Sequence, residues 1–214
     1  MAWRGWLAAV FLGAFIGNGM AFDEGKARLQ EKNLEIEVVL KDHALRVKRG
    51  DSVIEEFFIA YGRGGSGKNR QGDGRTPEGV YRIVEVRPSG RFHLFMLLDY
   101  PNDQDIYRAY RERRISEKEF DSLQDARELQ GFSPSSSPLG GQIGIHGLGG
   151  EGGIKEVIHE SFNWTSGCIA MRDKEIERLS RLVSPGTVVR IVRESPVKSP
   201  GAPRPPRLAA KSAP

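Results

Sequence analysis

Cysteine is almost absent from this chain, because Cys168 is the only one among its 214 residues. A single thiol excludes an internal disulfide, so the chain is not a small domain held together by disulfide bonds. This absence is informative because the N-terminus predicts export, and exported proteins normally pair their cysteines. The thiol is therefore either spare or a nucleophile.

Long apolar runs are absent after the first 21 residues. Residues 1–21 predict a signal peptide, with Arg4 as its positive start, Leu7–Gly17 as its apolar run and Gly19-Met20-Ala21 as its cleavage site. The run is shorter than the ~20 apolar residues that a bilayer requires, so we expect no transmembrane span in the mature chain. An uncleaved N-terminal anchor is the alternative. The signal predicts an exported protein, which is periplasmic if the source is a diderm bacterium.

Acidic residues are absent from the C-terminal segment, residues 195–214. This segment holds six of the twelve prolines and four cationic residues, which predicts a disordered basic tail. Its four positive charges equal the formal net charge of +4. The charge thus belongs to the tail and not to a nucleic-acid-binding face, and we predict no nucleic-acid partner. The tail either contacts an anionic wall polymer or phospholipid, or is simply solvated.

Between a charged leader (residues 22–33) and the tail, apolar and polar residues alternate over a single predicted domain, residues 34–194. The predicted strands are Leu34–Leu40, Ala44–Val47, Val53–Ala60, Gly79–Val86, Arg91–Leu98, Ile143–Ile145 and Thr187–Val192. The pattern predicts a mostly antiparallel, mostly β domain with inserted helices, closest to a small sandwich or barrel.

The inserted helices are fewer than the strands. Ser116 and Glu119 form a capping box that opens a helix ending near Gly131. Its predicted apolar stripe consists of Phe120, Leu123, Ala126 and Leu129. A short helix is predicted from Ile154, and Asp173 is expected to cap another helix.

The chemistry is expected around Cys168. A thiol that attacks an acyl carbon needs a nearby base and backbone donors for the oxyanion that forms. Gly167 suits a tight turn beside a substrate, and the amides of Ser166, Gly167 and Cys168 are candidate donors. His146, at the end of a predicted strand, is the candidate base. The alternatives are a buried structural cysteine and a hydrogen-bonded core histidine.

Three motifs carry a resemblance to a known family. His146-Gly147, Ser166-Gly167-Cys168-Ile169 and Thr76-Pro77-Glu78-Gly79 resemble the L,D-transpeptidase catalytic domain, or YkuD domain, from about Leu34 to Val192. The resemblance implies that Cys168 attacks a carbonyl in a peptidoglycan stem peptide, between an L-centre and a D-residue. It implies that His146 is the base, oriented by the backbone carbonyl of Gly147. An amine would then accept the acyl group, whereas water as acceptor would make the protein a hydrolase.

The chain departs from the family's commonest signature at two positions. Ser166 stands where a second histidine is common, and Ala170 stands where an arginine is common, so nearby Arg172 is the candidate substrate-binding cation. The run Asn163–Ala170 is similar to a divergent YafK-like branch, which includes an enzyme that detaches lipoprotein from the wall. A wall-attached lipoprotein is therefore a possible partner. Transfer, cleavage and a non-catalytic wall-binding domain stay open.

Four weaker signals surround this site. Gly62–Asn69 approaches a phosphate-binding loop but lacks the final Ser or Thr, so we expect a flexible basic loop at the edge of the cleft. His146, His159 and Cys168 lack the close spacing of a zinc site, and we predict neither a metal nor a cofactor. His159 is an alternative base, although a solvated side chain is the ordinary expectation there. Trp164 is either part of the core or a wall of the acyl pocket.

Overall fold

The computed structural model describes residues 34–131, 133–134, 136–150 and 152–195. The predicted signal peptide (1–21), the leader (22–33) and the tail beyond Ser195 lie outside the described residues. No helix among the described residues is long and apolar enough to cross a membrane.

Eight strands and four helices make up the described part of the chain. The strands are β1 Leu34–Val39, β2 Ala44–Arg49, β3 Ser52–Phe58, β4 Gly79–Ser89, β5 His93–Leu98, β6 Gly144–His146, β7 Ile169–Ala170 and β8 Val188–Val192. The helices are α1 Asp103–Arg111, α2 Glu117–Gln130, α3 Ile154–Ser161 and α4 Asp173–Ser180. The mostly β class with inserted helices is confirmed.

The strands form one mixed sheet in the order β3-β2-β1-β8-β4-β5-β6-β7. Neighbours are antiparallel except for two parallel pairs, β1–β8 and β6–β7. The long strand β4 joins the two parts of the sheet, because Gly79–Arg82 pairs with β8 and the later residues pair with β5 across an irregularity between Ile83 and Glu85. The short pair β6–β7 ends the sheet and carries both candidate catalytic residues at or beside its strands.

The main core lies against the sheet. It buries apolar side chains of β1, β2, β4, β5 and β8, and Ile176 and Leu179 of α4 pack onto them. In β1, Ile36 and Val38 of the alternating pattern are fully buried, but Val39 is fully buried too and Glu37 is 8% exposed, so both faces of this strand are covered. Burial of such side chains, at about 1.5–3 kcal/mol each, stabilises the sheet that positions the site.

Helices α1 and α2 enclose a second, smaller core of Ile106, Ala109, Ile115, Leu123 and Leu139. The predicted capping box of α2 is present, with the Ser116 hydroxyl accepting from the Glu119 amide at 3.3 Å. The predicted apolar stripe is wrong at its end, because Leu129 is 85% exposed. Leu129 lies on the exposed side of the last turn of α2, whereas Arg127 in the same turn donates to the carbonyl oxygens of Asp99 and Pro101.

Candidate active site

The candidate base, His146, is the last residue of β6 and is 2% exposed. It lies between β5, where it pairs with Phe95, and β7, where it pairs with Ala170. The Phe92 ring lies against the imidazole at a centroid distance of 4.1 Å with a tilt of 34°, the Phe95 ring is stacked at 6.1 Å, and Trp164 meets the imidazole edge-on at 5.8 Å. These rings hold the imidazole in one plane.

The second constraint on His146 is a hydrogen bond. Its Nδ1 lies 2.7 Å from the backbone carbonyl oxygen of Gly147, the contact that the family resemblance implies. A carbonyl oxygen only accepts, so Nδ1 carries the proton and Nε2 of the neutral ring has a free lone pair. Nε2 is thus the atom that can take a proton.

The pKa of His146 keeps the ring neutral at pH 7. Burial, with a smaller contribution from Arg91, lowers this pKa to about 4, although the Gly147 carbonyl and Asp173 act in the opposite direction. Desolvation dominates because the imidazolium loses more hydration than these partners replace.

Cys168 is half-buried and lies directly before β7. Because Ile169 pairs with Ile145, Cys168 lies beside Gly144 on the neighbouring strand. Its thiol donates to the carbonyl oxygen of Gln142 across 3.5 Å. Burial raises the pKa of the thiol to about 11, although the Gly144 amide and the charge of Lys68 oppose that shift. At rest, the site therefore holds a neutral thiol directly before β7 and a neutral imidazole on the adjacent strand β6.

Two threonine hydroxyls hold the turn that carries the thiol. Thr165 Oγ1 donates to the carbonyl of Cys168 at 2.6 Å and accepts the amide of Gly167 at 3.2 Å. Thr76 Oγ1 donates to the carbonyl of Gly167 and accepts the amide of Gly62, both at 2.9 Å. Both threonines are buried. Sequence reasoning quoted the Thr76 motif without a role, and this bridge is what its hydroxyl does.

The turn requires glycine at position 167. Its φ is +131°, and an added Cβ would lie 2.6 Å from the carbonyl oxygen of Arg75. The amide of Gly167, one of the candidate oxyanion donors, already faces Thr165 within the turn. Ser166 is exposed. The oxyanion role of the Ser166 and Gly167 amides stays a prediction.

Arg172, the candidate substrate-binding cation, is engaged by carboxylates. Its guanidinium pairs with Glu160 of α3, with Glu175 at 3.5 Å and with Glu156 at 3.9 Å. A substrate carboxylate would have to compete with these three, so the binding role of Arg172 stays a prediction. Sequence reasoning could not foresee the partners on α3, because they precede Arg172 by more than a helical turn.

The expected cap of α4 is wrong by one residue. Arg172 is the N-cap, its amide donates to Glu175 at 3.0 Å, and Asp173 is the first helical residue. The carboxylate of Asp173 instead accepts the amides of Gly149 and Gly150, in the loop after His146. Both carboxylate oxygens of Asp173 therefore bind amides of this loop and not amides of the helix.

His159 and Trp164 bury polar atoms near the base. The expectation of a solvated His159 is wrong, because the residue is 1% exposed and packs edge-on against Phe58 at 5.3 Å. Burial lowers its pKa to about 4. Within the described part of the chain, neither ring nitrogen of His159 nor Nε1 of Trp164 has a hydrogen-bond partner. Trp164 packs against His146, and its predicted place in the pocket wall stays a prediction.

The glycine-rich loop is not the flexible basic loop that was expected. Lys68 is buried, and its Nζ lies 2.8 Å from Oδ1 of Asp73. Although burial raises the pKa of Asp73, Lys68 and the amides of Asn69, Arg75 and Arg70 lower it to about 2. The Lys68 ammonium is thus already paired and is not available to a phosphate. Among the described residues, no group of three or more His, Cys, Asp or Glu could hold a metal ion.

The chain matches a known protein family. The family model of the L,D-transpeptidase catalytic domain, YkuD, matches residues 33–191. No curated protein matches the chain. Among solved structures, the chain is similar to Bd1075 of Bdellovibrio bacteriovorus (18% identity, TM-score 0.48, 76% of this chain, 48% of that chain).

Two further solved structures are similar. One is the helical cell shape determining protein Pgp2 of Campylobacter jejuni, with 20% identity and a TM-score of 0.45 over 78% of this chain and 49% of that chain. The other is an L,D-transpeptidase of Xylanimonas cellulosilytica, with 12% identity and a TM-score of 0.43 over 75% of this chain and 60% of that chain. This chain covers about half to three fifths of the length of these three proteins.

Proposed function

We propose that this chain, which belongs to the L,D-transpeptidase catalytic domain family, is an exported cysteine L,D-transpeptidase acting on peptidoglycan stem peptides. One observation carries the proposal. A neutral imidazole, with Nδ1 held by the Gly147 carbonyl, lies on the strand next to the turn of the only cysteine. That arrangement supplies a nucleophile and a base.

In the proposed acylation step, Sγ of Cys168 attacks the stem-peptide carbonyl and gives its proton to Nε2 of His146. Because both groups are neutral at rest, this proton moves during the attack. The backbone amides of the 166–168 turn are the candidate donors to the oxyanion. His146 then returns the proton to the departing amine as the C–N bond breaks, and a thioester on Cys168 remains.

In the proposed second step, an amine such as the diaminopimelate side chain attacks the thioester. His146 takes a proton from that amine, and Sγ regains it as the C–S bond breaks. The product is a new amide bond, and the enzyme returns to its resting state. If water replaces the amine, the same residues release a shortened stem peptide or cleave a bond between the wall and a lipoprotein.

Trp164 and Arg172 are the proposed substrate contacts. Trp164 is partly exposed and packs edge-on against the base, which supports a place in the wall beside the reacting carbonyl. Arg172 keeps 28% of its side chain exposed within its glutamate cluster. It would bind a stem-peptide carboxylate by exchanging one of these glutamates. Export and a periplasmic location in a diderm bacterium follow from residues 1–21 as part of the proposal.

The first test is acylation by a carbapenem, a β-lactam that mimics an acyl donor. Intact-protein mass spectrometry should detect one adduct on the wild-type protein and none on Cys168→Ala. An adduct that persists in Cys168→Ala would exclude Cys168 as the acylated residue. A wild-type protein that forms no adduct, yet sediments with sacculi, would favour the non-catalytic wall-binding alternative.

The second test separates transfer from hydrolysis. Purified protein is incubated with muropeptides, with and without an added amine acceptor. Crosslinked dimers that require Cys168 support transpeptidation. Shortened or released stems, with no dimers in the presence of the acceptor, would establish hydrolysis as the main activity.

A further inference from the structure

The loop after the base is held by a carboxylate. Asp173, buried at the start of α4, accepts the amide of Gly149 on Oδ1 at 3.0 Å and the amide of Gly150 on Oδ2 at 2.7 Å. Both oxygens of this side chain are therefore used by the backbone that follows His146. The contact links α4 directly to the strand end that carries the base.

Asp173 also lies against the residue whose carbonyl orients the base. A Cβ added at Gly147 would collide with Oδ1 of Asp173 and would lie 2.7 Å from the carbonyl oxygen of Phe92. Gly147 is thus enclosed between α4 and the residue that precedes β5. A shift of the carboxylate toward Gly147 would displace this residue, whose carbonyl oxygen is 2.7 Å from Nδ1 of His146.

A second side chain holds the same loop through its carbonyl groups. Nζ of Lys155, on α3, donates to the carbonyl oxygens of Leu148 at 3.4 Å and Gly149 at 2.8 Å. Of these two side chains, however, Asp173 is the one that contacts the amides and lies against Gly147, where Ile176 is a further neighbour. It is therefore the side chain best placed to transmit a change to the imidazole.

We infer that Asp173 is a positioning residue for His146, fixing the Gly147 carbonyl so that the imidazole presents an unprotonated Nε2. The inference rests on the proposed function for its catalytic meaning. The charged groups that face His146 are Asp173 and Arg91, with His159 as a further titratable neighbour. The carboxylate favours the imidazolium that forms when the thiol loses its proton, and Arg91 opposes it.

The test compares Asp173→Asn with Asp103→Asn. Asp103 is a matched control, because it is likewise the first residue of a helix but is exposed and pairs with Arg127 at 2.6 Å. An asparagine at 173 keeps one acceptor oxygen and loses the charge. We expect Asp173→Asn to slow alkylation of Cys168 by iodoacetamide at pH 7 about tenfold or more, and Asp103→Asn to leave it unchanged.

A double-mutant cycle with His146→Ala separates positioning from a general structural role. If Asp173 acts through the imidazole, Asp173→Asn has no further effect in the His146→Ala protein. An equal slowing in both backgrounds would overturn the inference, as would wild-type reactivity of the single variant. Asp173→Glu keeps the charge but displaces the carboxylate, so it should slow alkylation while leaving the pKa of His146 near its wild-type value. Wild-type reactivity of a folded Asp173→Glu protein would also overturn it.

A histidine Cε1–H NMR titration reports on the same contact without any reaction. Asp173→Asn should lower the pKa of His146, because a negative charge that favours the imidazolium is removed. An unchanged pKa together with unchanged alkylation contradicts the inference. A wild-type protein that is not acylated by carbapenem, but in which alkylation depends on His146 and Asp173, would refute the proposed function and retain the inference.

Discussion

Replacing Thr76 by valine tests how the turn that carries Cys168 is held. The Thr76 hydroxyl is fully buried and bridges the amide of Gly62 to the carbonyl of Gly167. Valine has nearly the same volume but no hydroxyl, so the variant removes both hydrogen bonds and opens no large cavity. Two buried backbone groups are then left without this partner.

The expected loss follows from those two groups. A buried donor or acceptor that loses its partner costs about 1–3 kcal/mol, so we expect a destabilisation of about 3 kcal/mol. For a domain of this size that corresponds to a Tm lower by about 6–12 °C. Because the freed carbonyl belongs to the residue before Cys168, we also expect carbapenem acylation to slow about tenfold.

The assay pairs urea unfolding with the acylation rate for Thr76→Val, Thr76→Ser and Thr187→Val. Serine keeps the hydroxyl, so Thr76→Ser should retain most of the wild-type stability and most of the wild-type acylation rate. Thr187 is the matched control, because its hydroxyl accepts one amide, that of Ser184 at 3.1 Å, in an exposed loop. Its valine variant should lose no more than about 1 kcal/mol. If Thr76→Val is no less stable and no slower than Thr187→Val, the bridge does not hold the turn.

Two further predictions concern the buried ionisable side chains of His159 and Lys68. Because the pKa of His159 is lowered to about 4 in the folded protein, the unfolded protein binds more protons at this residue between about pH 4 and 6.5. The free energy of unfolding therefore decreases as the pH falls through that window. His159→Phe should therefore raise the unfolding free energy at pH 5 and flatten its pH dependence, as measured by urea unfolding from pH 4 to 8. Asp73→Asn leaves the buried Lys68 ammonium without its anion, so it should lower the free energy of unfolding at pH 7 by about 3 kcal/mol in the same assay. The control is Glu194→Gln, which breaks an exposed pair with Lys41 and should lower it by less than about 1 kcal/mol.

The His159→Phe and Asp73→Asn predictions each have a control variant and an outcome that would contradict them. His93→Asn, at an exposed histidine that pairs with Glu177, is the control for the removal of an imidazole. A His159→Phe protein with an unchanged slope would mean that the imidazole is not the group that titrates. An Asp73→Asn protein as stable as Glu194→Gln would mean that Lys68 reaches water.

The sequence predicted those elements whose pattern is local. Strand β1 follows from its alternating residues, and α2 follows from its capping box and its terminal Gly131, whose φ is +78°. Helix α1 was missed because its only fully buried apolar residues are Ile106 and Ala109. Their partners are on α2 and at Leu139, which makes their burial a tertiary effect. Strand β7 has two residues and leaves no pattern to read.

The same division applies to the site. Cys168 and His146 were predicted from residue chemistry, and the contact between His146 and the Gly147 carbonyl, which the family resemblance implies, is present in the structure. The burial of His159 was not predicted, because α3 exposes its apolar residues Ile154, Val157 and Ile158 and turns the histidine inward. A helix with that sequence would ordinarily bury the opposite face. Nothing in the local pattern indicates that Phe58, a hundred residues earlier, receives the ring.

The parallel pairing of β6 with β7 makes the relative position of His146 and Cys168 independent of the number of residues between them. In the proposed mechanism, the register of these two strands sets the relative position of the base and the nucleophile, and the segment between them contributes Lys155 of α3, which holds the loop after His146. Residues added on the exposed surface of that segment, away from Lys155, would leave the register of β6 and β7 unchanged. The interval from histidine to cysteine is therefore a poor criterion for recognising homologues of this chain, and searches should let it vary.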